Sequence, residues 1–573
     1  MNIIGIYGGF NWDANKSCDA YDESTWVHNS GATLFIDDTH ICSILEERLS
    51  QIKYDGNFPI NSIKYCLSVG NICERDIDIV VVPSMIIRIF YFQYKEGIIE
   101  KKIKALFPNA KLKIISHHLA HALSSIYSSE FDHGTVITFD GGGSTLFNAD
   151  YTAQYHSENS TIGYFNKSKN TIKLFNGIFD TNNFGSYYTE SAYDVYCTKQ
   201  KCNYNDSQLF DLIRESVSGK IMGLSAYGSY IDTIPIHYSL SKNMLYEEMP
   251  YIVFDEMLKI KQIALRNAEE RAYIIQKNFE YAMIDYLTAL EENGYIEDNI
   301  CFAGGSFLNV LTNSLIKEKF HNIHIPPFTS DTGLCFGAAI FGVIKYNKKI
   351  PKLPHNISLL GKKYTTNEIQ QTLIDFNMKY QKIDNFANLC KETATFIKND
   401  KIIGWFQNKS EFGPRALGSR SILMSPSKKE NKDILNSRVK HREYWRPFAG
   451  IILEEYLNEY FEESFASPYM LYSLTVKPEK REEIAGITHI DNTCRIQTVN
   501  ESYHPEITEL LQHVKAVTGT PIVLNTSFND SGNPIIETPA DAIRAFNKMD
   551  LDYLIIDNFI IEKNNINTGL QYS

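Results

Sequence analysis

The chain has 573 residues, is 43% hydrophobic and 22% charged, and carries a net charge of −12. That length exceeds one hydrophobic core and implies two or more domains, and the composition excludes a disordered chain. The acidic balance argues against duplex nucleic acid as a partner, since that needs a basic footprint, but it leaves room for a local basic pocket.

In chain order, Asn2 to Tyr7 reads as a buried strand running into Gly8-Gly9. Gly31 to Ile36 and Ile41 to Leu45 follow as a second and third strand, a β-meander opening. Asp76 to Val82 and Lys111 to Ile115 are further strands, each followed by helix-compatible sequence. No C-x-x-C pair occurs among the ten cysteines, so neither a zinc ribbon nor a thioredoxin-like motif is supported. No run approaches the roughly 20 apolar residues that span a bilayer, and the first residues lack the regions of a signal peptide. A cytoplasmic protein with reduced thiols and no membrane partner is expected.

Ser116-His117-His118-Leu-Ala-His121 carries the clearest metal signal. On a helix His117 and His121 lie four apart on one face, close enough to share an ion. Imidazole suits Zn, Fe, Cu or Ni. A third ligand must come from elsewhere, and Asp331 in Ser330-Asp-Thr-Gly333 is the candidate. H-E-x-x-H is absent, so a zinc protease is not indicated. His28, just before the second strand, is a candidate general base by residue type.

Val136 to Asp140 is a strand ending in Gly141-Gly142-Gly143, where backbone N–H groups can approach a phosphate unhindered. Asp140, at the strand end, is placed to hold a metal or a water. Ile300 to Asn309 echoes this pattern with Gly304-Gly305. Two such loops suggest a nucleotide clamped between related subdomains. Lys220 to Gly228 reads as a small-residue loop of the kind that lines a nucleotide edge. A polar, proline-marked segment, Asn347 to Pro354, places a domain boundary, giving domains at 1–350 and 357–573.

The second domain holds Glu411-Phe-Gly-Pro-Arg415-Ala-Leu-Gly-Ser-Arg420-Ser421, followed by Lys440, Arg442 and Arg446. These five cations, spread over 32 residues of an acidic protein, suggest a polyanion site, because the guanidinium fork matches phosphate and carboxylate oxygens. Arg495 and Asn525, on strand-like segments, are placed to complete it.

These motifs, with Leu45-Glu-Glu-Arg-Leu-Ser50, Lys220-Ile-Met-Gly, Pro468-Tyr-Met470, Arg495-Ile-Gln-Thr and Asn525-Thr-Ser-Phe-Asn529, occur in one order across about residues 1 to 560. So ordered, they resemble the carbamoyltransferases of antibiotic, toxin and nodulation-factor biosynthesis. The resemblance implies an α/β protein of two domains. The first would be a duplicated ribonuclease-H-like domain of the actin and sugar-kinase (ASKHA) type. The second would be a smaller domain similar to threonylcarbamoyl-adenylate synthase (YrdC-like). The family makes carbamoyl adenylate from carbamoyl phosphate and ATP in the second domain. The first passes the carbamoyl group to an acceptor hydroxyl or amine of a small molecule, sugar or nucleoside, shielded from water.

By this resemblance Arg415, Arg420, Lys440, Arg442, Arg446, Arg495 and Asn525 bind ATP and carbamoyl phosphate, with Arg415 and Lys440 catalytic. Asp140, Gly142, Gly143, Gly304, Gly305 and Asn309 bind carbamoyl adenylate. His117, His121 and Asp331 hold a divalent metal, iron(II) ahead of Zn, Mn or Mg, and His28 is the base. Mg-ATP is a substrate, and a homodimer is among the expected assemblies.

Two features depart from the family pattern. Its His-Asp-Ser turn is His28-Asn29-Ser30 here, after an insertion over roughly Phe10 to Thr25, so acceptor identity does not carry over. Its Asn-x-Arg-Gly-Glu-Pro loop reads Asn529-Asp-Ser-Gly-Asn-Pro534, which lacks the arginine and the acid.

Transfer to tRNA is disfavoured by the charge of −12. Hydrogenase cyanide-ligand synthesis is disfavoured by the missing C-x-x-C pairs. The alternative retained is a non-carbamoylating ASKHA-type nucleotide kinase or sensor, although a kinase would not need the arginine set.

Overall fold

The computed structural model describes residues 1–10, 27–84, 97–142, 145–146, 156–158, 160–176, 183–201, 207–228, 238–242, 250–254 and 266–563. The chain divides into two compact units. Residues 1–50 and 54–354 form unit 1; residues 51–53 and 355–573 form unit 2. Both are mixed α/β.

Unit 1 contains two five-stranded sheets. The first consists of β1 (Asn2–Tyr7), β2 (Gly31–Ile36), β3 (Thr39–Leu45), β4 (Ile79–Pro83) and β5 (Lys111–Ile115), in the order β3-β2-β1-β4-β5. β1–β2 and β2–β3 are antiparallel, and β1–β4 and β4–β5 are parallel. The second consists of β6 (His133–Phe139), β7 (Ser160–Asn166), β8 (Thr171–Asn176), β9 (Ile300–Ala303) and β10 (Ile323–His324), in the order β8-β7-β6-β9-β10. Its pairings repeat the scheme, antiparallel on the β7–β8 side of β6 and parallel on the β9–β10 side. The two sheets are therefore topological repeats.

The helix α1 (His117–Ser128) follows β5 after one residue. Its N-cap is Ser116, whose Oγ accepts from Leu119 N at 3.2 Å, the local signal that starts a helix there. The helix Leu334–Gly342 is apolar and buried almost throughout, as a helix covered on all sides must be. Lys220–Ser225 differs from expectation. It ends a helix, Ser207–Ser225, rather than forming a loop, and Lys220 Nζ bonds Tyr196 Oη at 3.2 Å.

Unit 2 is built on a nine-stranded mixed sheet. Its centre consists of β12 (Ile403–Phe406), β13 (Arg420–Met424), β17 (Ile522–Ser527), β14 (Ala449–Leu453) and β16 (Thr493–Val499), adjacent in that order. The outer strands are β11 (Gln381–Lys382), β19 (Phe559–Glu562) and β18 (Tyr553–Ile556) on one side and β15 (Ser473–Thr475) on the other. One face packs Ile403, Leu423, Ile451, Leu453, Val499 and Val523 against the helices Phe386–Lys398 and Pro505–Thr518. Further along the same face the residues turn polar. Asn525 is paired with Ala449 and with Leu423, and Gln497 is paired with Ile451.

Candidate metal centre and candidate anion site

Four side chains converge in unit 1. Ligand atoms of His117, His121, Asp140 and Asp331 all lie within 4.8 Å of one another. The histidines come from successive turns of α1. Asp140 stands at the end of β6, and Asp331 in the turn before the helix Leu334–Gly342. That helix can reach α1 only because residue 337 is glycine, since a Cβ there would lie 1.9 Å from Ala120 O. His117 Nε2 is 3.4 Å from Asp140 Oδ2 and 3.5 Å from Asp331 Oδ1. His121 Nε2 is 3.1 and 3.4 Å from the same two oxygens. Tyr7 Oη donates to Asp331 Oδ2 at 2.7 Å.

The electrostatics follow from this crowding. Burial opposes charge on His117, but Asp331 and Asp140 outweigh it and lift the pKa to about 10. His121 is raised by the same carboxylates against the same burial. Burial works against ionised Asp140 and Asp331, yet the histidines hold both well below the usual carboxylate range. Without metal, the two carboxylates thus favour the protonated form of both imidazoles. His118 stays apart from it: burial lowers its pKa to about 4, and Nδ1 bonds Thr161 Oγ1 at 2.7 Å. Two imidazoles and two carboxylates fit a divalent transition metal.

His28 Nε2 lies 3.9 Å from Asp331 Oδ2, and Nδ1 is 2.7 Å from Asn29 Nδ2. An amide NH2 only donates, so in this arrangement the ring proton sits on Nε2. Turning the Asn29 amide would move that proton to Nδ1 and leave Nε2 as a base without moving the ring.

Several residues expected to touch carbamoyl adenylate have protein partners in this structure. Asp140 belongs to the metal cluster, and its Oδ1 accepts from Gly141 N at 2.9 Å and Gly305 N at 3.1 Å. Gly304 N donates to Thr329 O at 2.7 Å. The amides of both glycines are thus taken by protein rather than presented to phosphate. Gly304 instead allows a close approach, at φ +101°, where a Cβ would lie 2.1 Å from Phe139 O. Asn309 caps the helix Val310–Lys319 and exchanges two 3.1 Å bonds with Gln276. Gly142 is buried at the end of the first loop, and Gly143 lies outside the described residues.

In unit 2 the expected cations separate into two kinds. Arg415, Arg442, Arg446 and Arg495 act on one another. Burial, then repulsion from Arg415, Arg442 and Arg446, holds Arg495 well below the usual arginine value. Burial and Arg446 bring Arg442 to about 9. The Nε atoms of Arg442 and Arg495 are buried with no partner among the described residues. Arg442 lies over the Phe448 ring, 4.2 Å from its centroid. Cations pressed together in this way are stabilised by an anion.

Arg420 is of the second kind. It is fully buried, stacks on Phe406 at 3.6 Å, and donates to Gln407 O at 2.7 Å and to Asn408 O, Ser419 O and Glu537 O. In this structure it holds backbone. Lys440 departs similarly: Nζ donates to Ser527 O, Asn529 O and Asn529 Oδ1 at 2.9, 2.8 and 2.7 Å. Ser527 Oγ, at 3.4 Å, is a fourth acceptor around its three N–H groups. Burial, then Arg442 and Arg446, lowers its pKa. Lys440 therefore ties down the Asn525–Asn529 segment.

Two residues here had no assigned role in the sequence. Glu411 Oε1 accepts from the backbone N–H groups of Leu417, Ser419 and Arg420 at 2.8, 2.8 and 3.0 Å. Gln497 Nε2 donates to Leu417 O at 3.0 Å, beside Asn525 Nδ2 donating to Ala416 O at 2.9 Å. The signal for Gln497 was its place two residues after Arg495, a polar pair on the core side of a buried strand.

Comparison with known proteins finds matches in both halves of the chain. Residues 394–563 match the carbamoyltransferase C-terminus family, and residues 91–340 match the carbamoyltransferase N-terminus family. Nodulation protein NolNO of Sinorhizobium fredii is 28% identical over 602 residues, covering 98% of this chain and 83% of that protein. Nodulation protein NolO of Bradyrhizobium diazoefficiens is 30% identical over 472 residues, covering 78% and 79%. Among solved structures, full-length HypF in its phosphate- and nucleotide-bound form has a TM-score of 0.33 at 13% identity, covering 56% of this chain and 45% of that one. That likeness is too slight to argue from. The chain belongs to the carbamoyltransferase family. It is an enzyme of carbamoyl transfer.

Proposed function

We propose that this carbamoyltransferase works through carbamoyl adenylate, made in unit 2 and used in unit 1. In unit 2, water releases carbamate and phosphate from carbamoyl phosphate. A carbamate oxygen then attacks the α-phosphorus of Mg-ATP, forming carbamoyl adenylate and expelling pyrophosphate. The observation that carries this reading is the mutual crowding of Arg415, Arg442, Arg446 and Arg495, a cationic site in an acidic chain. Positioned charge of this kind is the main contribution a protein makes to nucleotidyl transfer. Arg420 and Lys440 support it from behind by fixing the segments that carry the site.

In unit 1 the carbamoyl group passes to a hydroxyl or amine of a small molecule, sugar or nucleoside, and AMP leaves. His117, His121, Asp140 and Asp331 would hold a divalent metal, iron(II) first, which supplies Lewis-acid polarisation of the mixed anhydride. His28 orients or deprotonates the acceptor through Nε2, with Asn29 setting the tautomer. The repeated sheets of unit 1 support the duplicated ribonuclease-H-like, ASKHA-type fold, with unit 2 as a YrdC-like domain.

The test is incubation of the chain with carbamoyl phosphate and Mg-ATP without acceptor. Carbamoyl-phosphate-dependent pyrophosphate release, falling at least tenfold in Arg415→Ala, is expected. ADP formation, or no turnover by folded protein, would shift the reading to a kinase or sensor.

A further inference from the structure

An arginine-rich site by itself binds any small phosphate. It cannot tell carbamoyl phosphate from acetyl phosphate, in which a methyl group replaces the NH2. Discrimination needs hydrogen-bond acceptors for that NH2, and neutral ones, because a carboxylate would repel the phosphate beside it.

The sheet of unit 2 offers such a pair. Gln497 and Asn525 are 0% and 2% exposed. Arg495 shares the face of Gln497, two residues along the strand, and Asn525 joins that face through its pairing with Ala449. Each carboxamide gives its NH2 to a consecutive carbonyl of the loop that carries Arg415, Asn525 to Ala416 O and Gln497 to Leu417 O. An amide oxygen cannot face a carbonyl oxygen, so these bonds fix which end of each amide points at the loop. The opposite ends, Asn525 Oδ1 and Gln497 Oε1, are buried and accept from no group among the described residues. Two orphaned acceptors thus stand on the same sheet face as Arg495, whose Nε is an orphaned donor.

We propose that Gln497 Oε1 and Asn525 Oδ1 accept the two N–H bonds of the carbamoyl group and select carbamoyl phosphate over acyl phosphates that lack them. The inference rests on the carbamoyl-phosphate reading above. Both oxygens are closed to solvent, so a ligand reaches them when the Ala416–Leu417 segment shifts. That segment belongs to no helix or strand and is held over the sheet by side chains, including the packing of Leu417 on Ala449 and Met470.

The experiment is calorimetric titration of the full chain with phosphonoacetamide, a stable carbamoyl phosphate analogue, and with 2-oxopropylphosphonate, its methyl counterpart. The wild type is expected to bind the amide more tightly by on the order of 10- to 100-fold, the effect of two hydrogen bonds to buried acceptors. In Gln497→Met and Asn525→Leu that ratio falls toward 1, even if a disturbed loop weakens both ligands. A merely structural role would move both affinities and leave the ratio alone. Equal binding by the wild type, which needs no variant to fold, would overturn the inference, as would a ratio that persists in both variants. If folded wild type binds neither phosphonate nor inorganic phosphate, the carbamoyl-phosphate reading itself has failed. Selective binding of inorganic phosphate and equal binding of the two phosphonates would sink only the selectivity.

Discussion

Replacing Glu411 with alanine removes one oxygen that holds three buried backbone N–H groups, those of Leu417, Ser419 and Arg420. Each buried donor left without an acceptor costs about 1–3 kcal/mol. Some relief comes from water entering the space of the lost side chain, so the low end of the sum applies, about 3–5 kcal/mol. Glu411→Gln keeps one acceptor oxygen but loses its charge, and charge-assisted bonds are roughly twice as strong as neutral ones. Its expected loss is about 1–2 kcal/mol. For a unit of 150–250 residues, each kcal/mol moves the midpoint by about 2–4 °C. Alanine should therefore lower the melting midpoint of unit 2 by roughly 6–20 °C, and glutamine by roughly 2–8 °C. Trp405 and Trp445 are buried in unit 2, so tryptophan fluorescence of the full chain follows its melting. The same variants should bind inorganic phosphate more weakly, because the loop presents Arg415. An alanine variant that melts within 2 °C of wild type and binds phosphate normally would refute this account of the loop.

Other expectations follow from the same geometry. Gly337→Ala sets a Cβ 1.9 Å from Ala120 O, so the helix bearing His117 and the helix that follows Asp331 must separate. Metal content, measured by atomic absorption, should fall well below that of wild type. Metal uptake should release protons and tighten as pH rises toward about 10, because the apo His117 imidazolium must be neutral to bind. Conversely, its raised pKa means that the apo cluster is fully stabilising below the ordinary histidine value of about 6.5. That contribution is lost as pH climbs through about 10, so apo protein should lose stability over this window in denaturant titrations. Arg415→Ala should weaken phosphate binding at least tenfold with little change in melting. Arg420→Lys should do the reverse, lowering stability by about 1–3 kcal/mol while phosphate titrations change little.

Local periodicity alone settled some of these features. Strand Lys111–Ile115, the Ser116 cap and the i, i+4 pair His117 and His121 lie within 11 residues. Helix geometry dictates that the two histidines share a face wherever that helix packs. The alternation that places Arg495 and Gln497 on one side of a strand is equally local. The tertiary structure decided which distant groups meet them. Asp140 and Asp331 reach the histidines only through strand order and the close approach at Gly337, and nothing near Asp140 in the chain distinguishes a metal ligand from a phosphate-loop residue. Arg415 and Arg420 are five residues apart in one motif and look alike as sequence. Packing gives Arg420 four backbone carbonyls and sets Arg415 among other cations. One of these partners, Glu537, lies more than a hundred residues from Arg420 in the chain and meets it only in the folded unit. The sequence therefore specifies which chemistry is available, and the fold decides which groups are left to perform it.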